Sequence, residues 1–220
     1  MKILRMGGKK LVKESMAAML KSVMIDAGHG GRDPGAINKQ LGFKEKDIVL
    51  KVAEYLAFEL IESYPNIVPF LTRKEDEYIS LKERCAKADC VVFEDLSIKP
   101  ADIFLSVHTN ARLLKGKYGL EIETYHYRGS VLGKKLASVV QKNLVAEGTM
   151  MNTIDRGVKT ALFYVLRRTR MPAVLVELGF LSDLEEAIIL SSDCHQKKMG
   201  KILAKSINEF FREQEENINA

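Results

Sequence analysis

Short β-branched runs alternate with helix-patterned stretches along this chain, and that alternation constrains the fold more than any single residue does. Strand, crossover helix, strand is the pattern of βαβ units, which assemble into a largely parallel sheet. Val23–Ala27 is the first strand. A helix is expected from about Glu45 to Ser63, where Ile48, Val52, Leu56 and Leu60 recur as one apolar stripe. Asn66–Thr72 follows as a strand behind the breaker Pro65, and Tyr78 to about Cys90 as a helix. Asp102–Val107 and Tyr118–Tyr127 read as strands, and Ser130–Leu144 as a helix with Leu132, Leu136, Val139 and Val140 on one face. Extended pieces near Arg156–Val165 lead to the strand Ala173–Glu177. A long helix from roughly Cys194 to Glu213 closes the chain, with Met199, Leu203, Ile207 and Phe210 facing the core. The expected class is α/β: a single domain with a twisted, mostly parallel sheet flanked by helices on both faces. Its expected span is 22–213, with an N-terminal extension at 1–21 and a polar C-terminal tail at 214–220.

Three of the strands run into polar residues. Val23–Ala27 meets Gly28-His29-Gly30-Gly31, Ile103–Val107 meets His108-Thr109-Asn110, and Val174–Val176 meets Glu177-Leu178-Gly179. In an open parallel sheet the carboxyl ends of the strands lie side by side, and ligand sites form there. Two imidazoles and a carboxylate are therefore expected on one rim, although they lie far apart in the chain. Each has a plainer reading. The glycines around His29 serve a tight turn or an anion cradle, but Gly28–Gly35 lacks both the lysine of a P-loop and dinucleotide-fingerprint spacing. His108 also suits a satisfied core histidine. Glu177 is harder to dismiss, because a carboxylate ending a buried strand is costly without a partner or a task. Glu45 opens a helix, where an acidic side chain favours the positive end of the dipole, so local sequence leaves its role open. A hydrolytic zinc site usually takes three protein ligands and keeps a fourth position free, so two histidines want a third partner. Neither His126 nor His195 is placed to supply it.

Composition narrows the setting. Apolar residues are 46% and charged residues 29% of the 220, as in ordinary globular domains. No run of apolar residues is long enough to span a bilayer. A net charge of +5 suits an anionic target without choosing between nucleic acid, phospholipid and an acidic wall polymer. Cys85, Cys90 and Cys194 make an odd set without a CxxC pair, which points to reduced thiols. Residues 1–21 carry early lysines but lack the apolar run of a signal peptide.

Several blocks follow one another in order: Val23–Ala36 (VMIDAGHGGRDPGA), Glu45-Lys46-Asp47, Leu71-Thr72-Arg73, Ala101–Ala111 (ADIFLSVHTNA), Arg156-Gly157-Val158, Val165-Leu166-Arg167 and Met171–Asp183 (MPAVLVELGFLSD). Together they resemble the zinc-dependent N-acetylmuramoyl-L-alanine amidases, which include bacterial autolysins, phage endolysins and septum-splitting amidases. The resemblance runs from about Ser22 to Phe211. It implies one zinc ion per chain held by His29, Glu45 and His108, with Glu177 as general base, and it is the resemblance that assigns Glu45. It further implies cleavage of the amide between the lactyl group of N-acetylmuramic acid and the L-alanine of the stem peptide. Asn110 and Arg156 lie close to these blocks and are nominated as substrate contacts, while Arg73 is read as structural.

The resemblance sets expectations about partners as well. The septum-splitting subgroup carries a long insertion with a helix that plugs the metal site. Here only Arg112–Met171 separates the HTNA and PAVLVE blocks, so the site is expected open, on a monomer needing no activator protein. The partners expected are peptidoglycan stem peptide and glycan, not nucleic acid, met in the periplasm, the cell wall or the medium. The Cys85–Pro100 stretch is longer than usual and is expected as a surface loop. Two alternatives remain: a zinc peptidase or carboxypeptidase trimming the stem peptide, and a non-catalytic wall-binding module.

Overall fold

The computed structural model describes residues 20–112, 119–148 and 152–219. The expected N-terminal extension lies outside them except for Leu20 and Lys21. A six-stranded sheet is built from β1 (Lys21–Ala27), β4 (Ile67–Leu71), β7 (Ile103–Asn110), β8 (Leu120–His126), β9 (Thr153–Thr160) and β10 (Ala173–Phe180), in the order β4-β1-β7-β10-β8-β9. The first four of that order are mutually parallel; β8 runs antiparallel to β10, and β9 parallel to β8. Two small antiparallel pairs lie outside it: β2 (Ile37–Asn38) with β3 (Phe43–Lys44), and β5 (Val91–Val92) with β6 (Ile98–Lys99). Pro69 falls in β4, an edge strand, where a missing N–H is tolerated.

Strand alternation sorts the core into two layers. Val23, Ile25, Ile103, Leu105, Val107, Val174 and Val176 face α1 (Glu45–Ser63), α3 (Val131–Glu147) and α6 (Asp193–Asn219). Met24, Phe104 and Leu175 point the other way, toward α2 (Leu81–Asp89) and α4 (Tyr164–Arg168). Helices thus cover both faces. Between β10 and α6 lies α5 (Leu184–Leu190), capped by Asp183, whose Oδ1 accepts from the N–H groups of Glu185 and Glu186.

Several boundaries differ from expectation. Tyr164 and Val165, expected extended, open the helix Tyr164–Arg168, since one turn is too short to show a period and its Val165 and Leu166 are fixed by burial. The Cys85–Pro100 stretch is the end of α2 followed by the β5–β6 pair rather than a plain loop. Helix α6 continues to Asn219, through most of the stretch expected as a polar tail. Strands β7 and β10 run on past His108 and Glu177, so those residues belong to strands and keep their alternation.

Asp26 sits 1% exposed on the second face. Its Oδ1 accepts from Arg84 Nη1 at 2.6 Å and Thr72 Oγ1 at 2.8 Å, and its Oδ2 from Ser106 Oγ at 2.6 Å. Burial opposes its ionisation, but the Arg84 charge and these bonds hold the carboxyl below the usual range. Arg84 is presented by α2, which a reciprocal Ser80–Glu83 capping box starts. Replacing Arg84 by Ala leaves Asp26 buried and unpaired. The expected loss is about 3–5 kcal/mol of unfolding free energy in urea titrations, with partial recovery in the Asp26→Asn, Arg84→Met double variant.

Candidate metal centre

Strands β1, β7 and β10 are neighbours in the sheet, so the rim predicted from the sequence exists. His108 and Glu177 stand opposite each other in the β7–β10 register, on the face that also carries Asp26 and Ser106. His29 follows β1 in a left-handed conformation, φ 59°, which is uncommon for a side chain with a Cβ. That backbone turn directs its ring toward Glu45, the first residue of α1.

Glu45 is 3% exposed and joins the group. Its Oε1 lies 3.2 Å from His29 Nε2 and 3.0 Å from His108 Nδ1, and accepts from the Thr109 N–H at 3.0 Å. Its Oε2 accepts from the Ala36 N–H at 2.7 Å. One ligand atom from each of His29, Glu45 and His108 lies within 4.8 Å of the others, the one such trio among the described residues. Asp33 Oδ2 is 2.9 Å from His29 Nδ1, which leaves Nε2 for the centre. Two glycines make the close packing possible. A Cβ at Gly28 would stand 2.3 Å from His108 Cε1, and one at Gly35 only 2.4 Å from Glu45 Oε2.

The electrostatics describe a place built for positive charge. Burial opposes a charged ring at His29, but its hydrogen bond to Glu45, Glu45's charge and Asp33 outweigh this and push it up to about 9. His108 is raised against its own burial for the same reason, and Glu45 is lowered despite burial because the two imidazoles surround it. Glu177 behaves oppositely. Burial pushes its carboxyl up to about 7, with His108 opposing and the charges of Glu45 and Glu123 adding to the rise. Its Oε2 is buried and has no hydrogen-bond partner. His29, Asp33, His108 and Glu177 border a cleft of about 290 Å³, which Tyr78, Leu81, Phe163 and Tyr164 also wall.

The chain's two further nominees both bond Glu123. Asn110 Nδ2 donates to Glu123 Oε1 at 2.8 Å, and Arg156 donates through Nε to Glu123 Oε2 at 2.6 Å and through Nη1 to Glu121 Oε2 at 2.7 Å. Lys159 and Tyr125 also bond Glu123, which stands opposite Glu177 across β8 and β10. Sequence reasoning missed these buried glutamates. Leu120-Glu121-Ile122-Glu123 reads as a strand with one wet face, whereas both glutamates are at most 3% exposed. It also missed Asp33, whose only signal is a carboxylate four residues beyond His29 in the same glycine-rich turn. Arg73 is structural: its guanidinium donates to the carbonyls of Ala27, Gly28, Lys46 and Glu75. His126 and His195 are buried elsewhere and stay out of the trio, and the three cysteines are free.

Residues 23–209 match the family model described as N-acetylmuramoyl-L-alanine amidase. The chain belongs to that family. Among its relatives, YqiI of Bacillus subtilis is 38% identical over 194 residues, spanning 87% of this chain and 85% of that protein. The N-acetylmuramoyl-L-alanine amidase LytC of the same organism is 34% identical over 94% of this chain but only 40% of LytC. The solved catalytic domain of CwlV, an N-acetylmuramoyl-L-alanine amidase from Paenibacillus polymyxa, superposes with a TM-score of 0.75 at 34% identity, covering 88% of this chain and 99% of that domain. The amidase fold therefore accounts for nearly all described elements.

The raised Glu177 gives this amidase a pH signature. A folded-state carboxyl raised to about 7 from 4.5 favours folding most below pH 4.5, and that advantage is lost as pH rises through 7. In metal-free protein, Glu177→Gln should match the parent near pH 4 and exceed it at pH 8 by on the order of 2 kcal/mol, read from urea unfolding at both values. Equal differences at the two pH values would refute the assignment.

Proposed function

We propose that this chain hydrolyses the amide joining the lactyl group of N-acetylmuramic acid to the L-alanine of the peptidoglycan stem peptide, using zinc at His29, Glu45 and His108. The observation that carries the reading is the pairing of that trio with Glu177, whose buried Oε2 has no partner beside it. The donor set fits zinc: two imidazole nitrogens and one carboxylate oxygen, with fewer ligands than a closed structural site requires. Glycines at 28 and 35 remove the atoms that would crowd those ligands. When bound, zinc would supply Lewis acidity, bringing the pKa of water down to about 7 and polarising a carbonyl.

The protein's own groups do the rest. Glu177, ionising near neutrality, takes a proton from the attacking water and returns it to the amine nitrogen of L-alanine, which leaves poorly unless protonated. Asp33 holds the His29 ring so that Nε2 faces the centre. Asn110 and Arg156, fixed on Glu123, are set to meet the substrate flanking Glu177. The Tyr78 and Phe163 walls hold the peptide and limit water.

The catalytic domain in this reading spans 22–213 and works outside the cytoplasm, in the periplasm, in the cell wall or as a secreted protein, because its polymer is there. Among the described residues no helix is long and apolar enough to cross a membrane. The His29 side chain at the centre is 25% exposed, which favours a monomer acting without an activator. A carboxypeptidase could use similar ligands, and product chemistry separates the two.

Mass spectrometry of digested peptidoglycan should show free stem peptides beginning with L-alanine; trimmed peptides still on sugar would move the assignment to the peptidase. Glu177→Ala should retain about one zinc per chain while losing roughly 10²–10⁴ in rate, and His29→Ala or His108→Ala should lose both. Asp33→Ala should weaken zinc binding about 10- to 100-fold in chelator competition, with the fold unchanged by circular dichroism.

A further inference from the structure

A cation with no assigned task lies on one wall residue of the cleft. Arg32 lies in the His29–Asp33 turn, and its guanidinium carbon sits 4.3 Å from the ring centroid of Tyr78, a wall of the same cleft as His29, His108 and Glu177. Among the described residues no carboxylate pairs with it. Two acids of this region are engaged elsewhere: Asp33 by His29 and the Gly35 N–H, Asp76 by Lys46 and the Gly31 N–H. The turn itself is held firmly. Gly30 and Asp33 exchange backbone hydrogen bonds of 2.9 and 3.1 Å, and Lys46 Nζ donates to the Gly31 carbonyl at 3.0 Å.

A guanidinium lying on an aromatic face keeps its edge donors free, and that edge matches a carboxylate in two-point geometry. We infer that Arg32, seated on Tyr78, forms a subsite for a carboxylate of the stem peptide, so that this chain discriminates substrates by whether that group is free or amidated. The inference rests on the amidase reading for the identity of the peptide. Tyr78, on which Arg32 lies, lines the same cleft as His29, His108 and Glu177, and the residue after L-alanine is only one peptide unit from the cleaved bond, about 3.3–3.6 Å of extended chain. A glutamate residue at that second position offers an α-carboxylate when free and a neutral amide when capped.

The test compares two soluble muropeptides that differ only in amidation of the second residue, with the parent chain, Arg32→Ala and Tyr78→Leu. Arg32 is exposed, so its loss should leave the fold intact. The parent should favour the free acid roughly five- to tenfold in kcat/KM, through KM, and the preference should shrink with added salt. In Arg32→Ala the ratio should fall to about one, and in Tyr78→Leu it should fall part of the way. A parent with no preference, or an Arg32→Ala chain with the preference intact, overturns the subsite. The dissociation constants of both peptides on Glu177→Gln protein give the same ratio without turnover. A binding preference that follows Arg32 in a chain that releases no L-alanine terminus would uphold the subsite and overturn the amidase reading instead.

Discussion

Two buried guanidinium groups hold the end of β1, and the rest of the centre depends on them. Arg73 and Arg84 together donate to the carbonyls of Ala27, Gly28 and His29, groups that leave the sheet where the chain turns out of it. A backbone carbonyl buried without a donor costs free energy comparable to a lost hydrogen bond, so the turn can be this sharp only because both arginines are present. The left-handed His29 follows from that fixed turn, and the ring direction follows from His29. Asp26 balances Arg84 from the strand beneath. The ion pair thus works less as a net source of stability than as a means of holding one irregular backbone conformation.

Charge in the cleft is arranged in two opposed ways within a short span. At Glu45, imidazoles and main-chain N–H groups favour the carboxylate, so the site attracts protons when nothing else supplies positive charge. Metal affinity at such a site must weaken as pH is lowered, because protons and metal compete for the same nitrogens. At Glu177 burial dominates and no hydrogen bond offsets it, leaving a carboxyl that ionises near neutrality. Two glutamates on facing elements are therefore pushed apart in acidity by their surroundings, one suited to holding a cation and the other to exchanging a proton. Glu123 contributes to that difference from β8 while Arg156, Lys159, Asn110 and Tyr125 keep it ionised and still.

Much of this is legible in the sequence. The apolar stripe from Ile48 to Leu60 marks α1 with its observed bounds, Glu45–Ser63, because an amphipathic period over five turns leaves little choice. Convergence of His29, His108 and Glu177 followed from strands whose carboxyl ends must share a rim. Alternation would have gone further: His108 and Glu177 share the parity of Phe104 and Leu175, and so the face of α2 and α4. Short helices such as Tyr164–Arg168 were not legible, since five residues contain no period to detect.

The sequence by itself determined the α/β class, the neighbouring strand ends and the types of ligand available, because hydrophobic periodicity and residue chemistry are local properties. Only the tertiary structure decided that Glu45 meets both histidines, that Asp33 orients one of them, and that Glu121 and Glu123 are buried acids rather than a wet face. Those facts depend on which elements lie opposite one another and on how closely two glycines let them approach. Contact across a fold is a property of distance in space, which spacing along a chain does not encode.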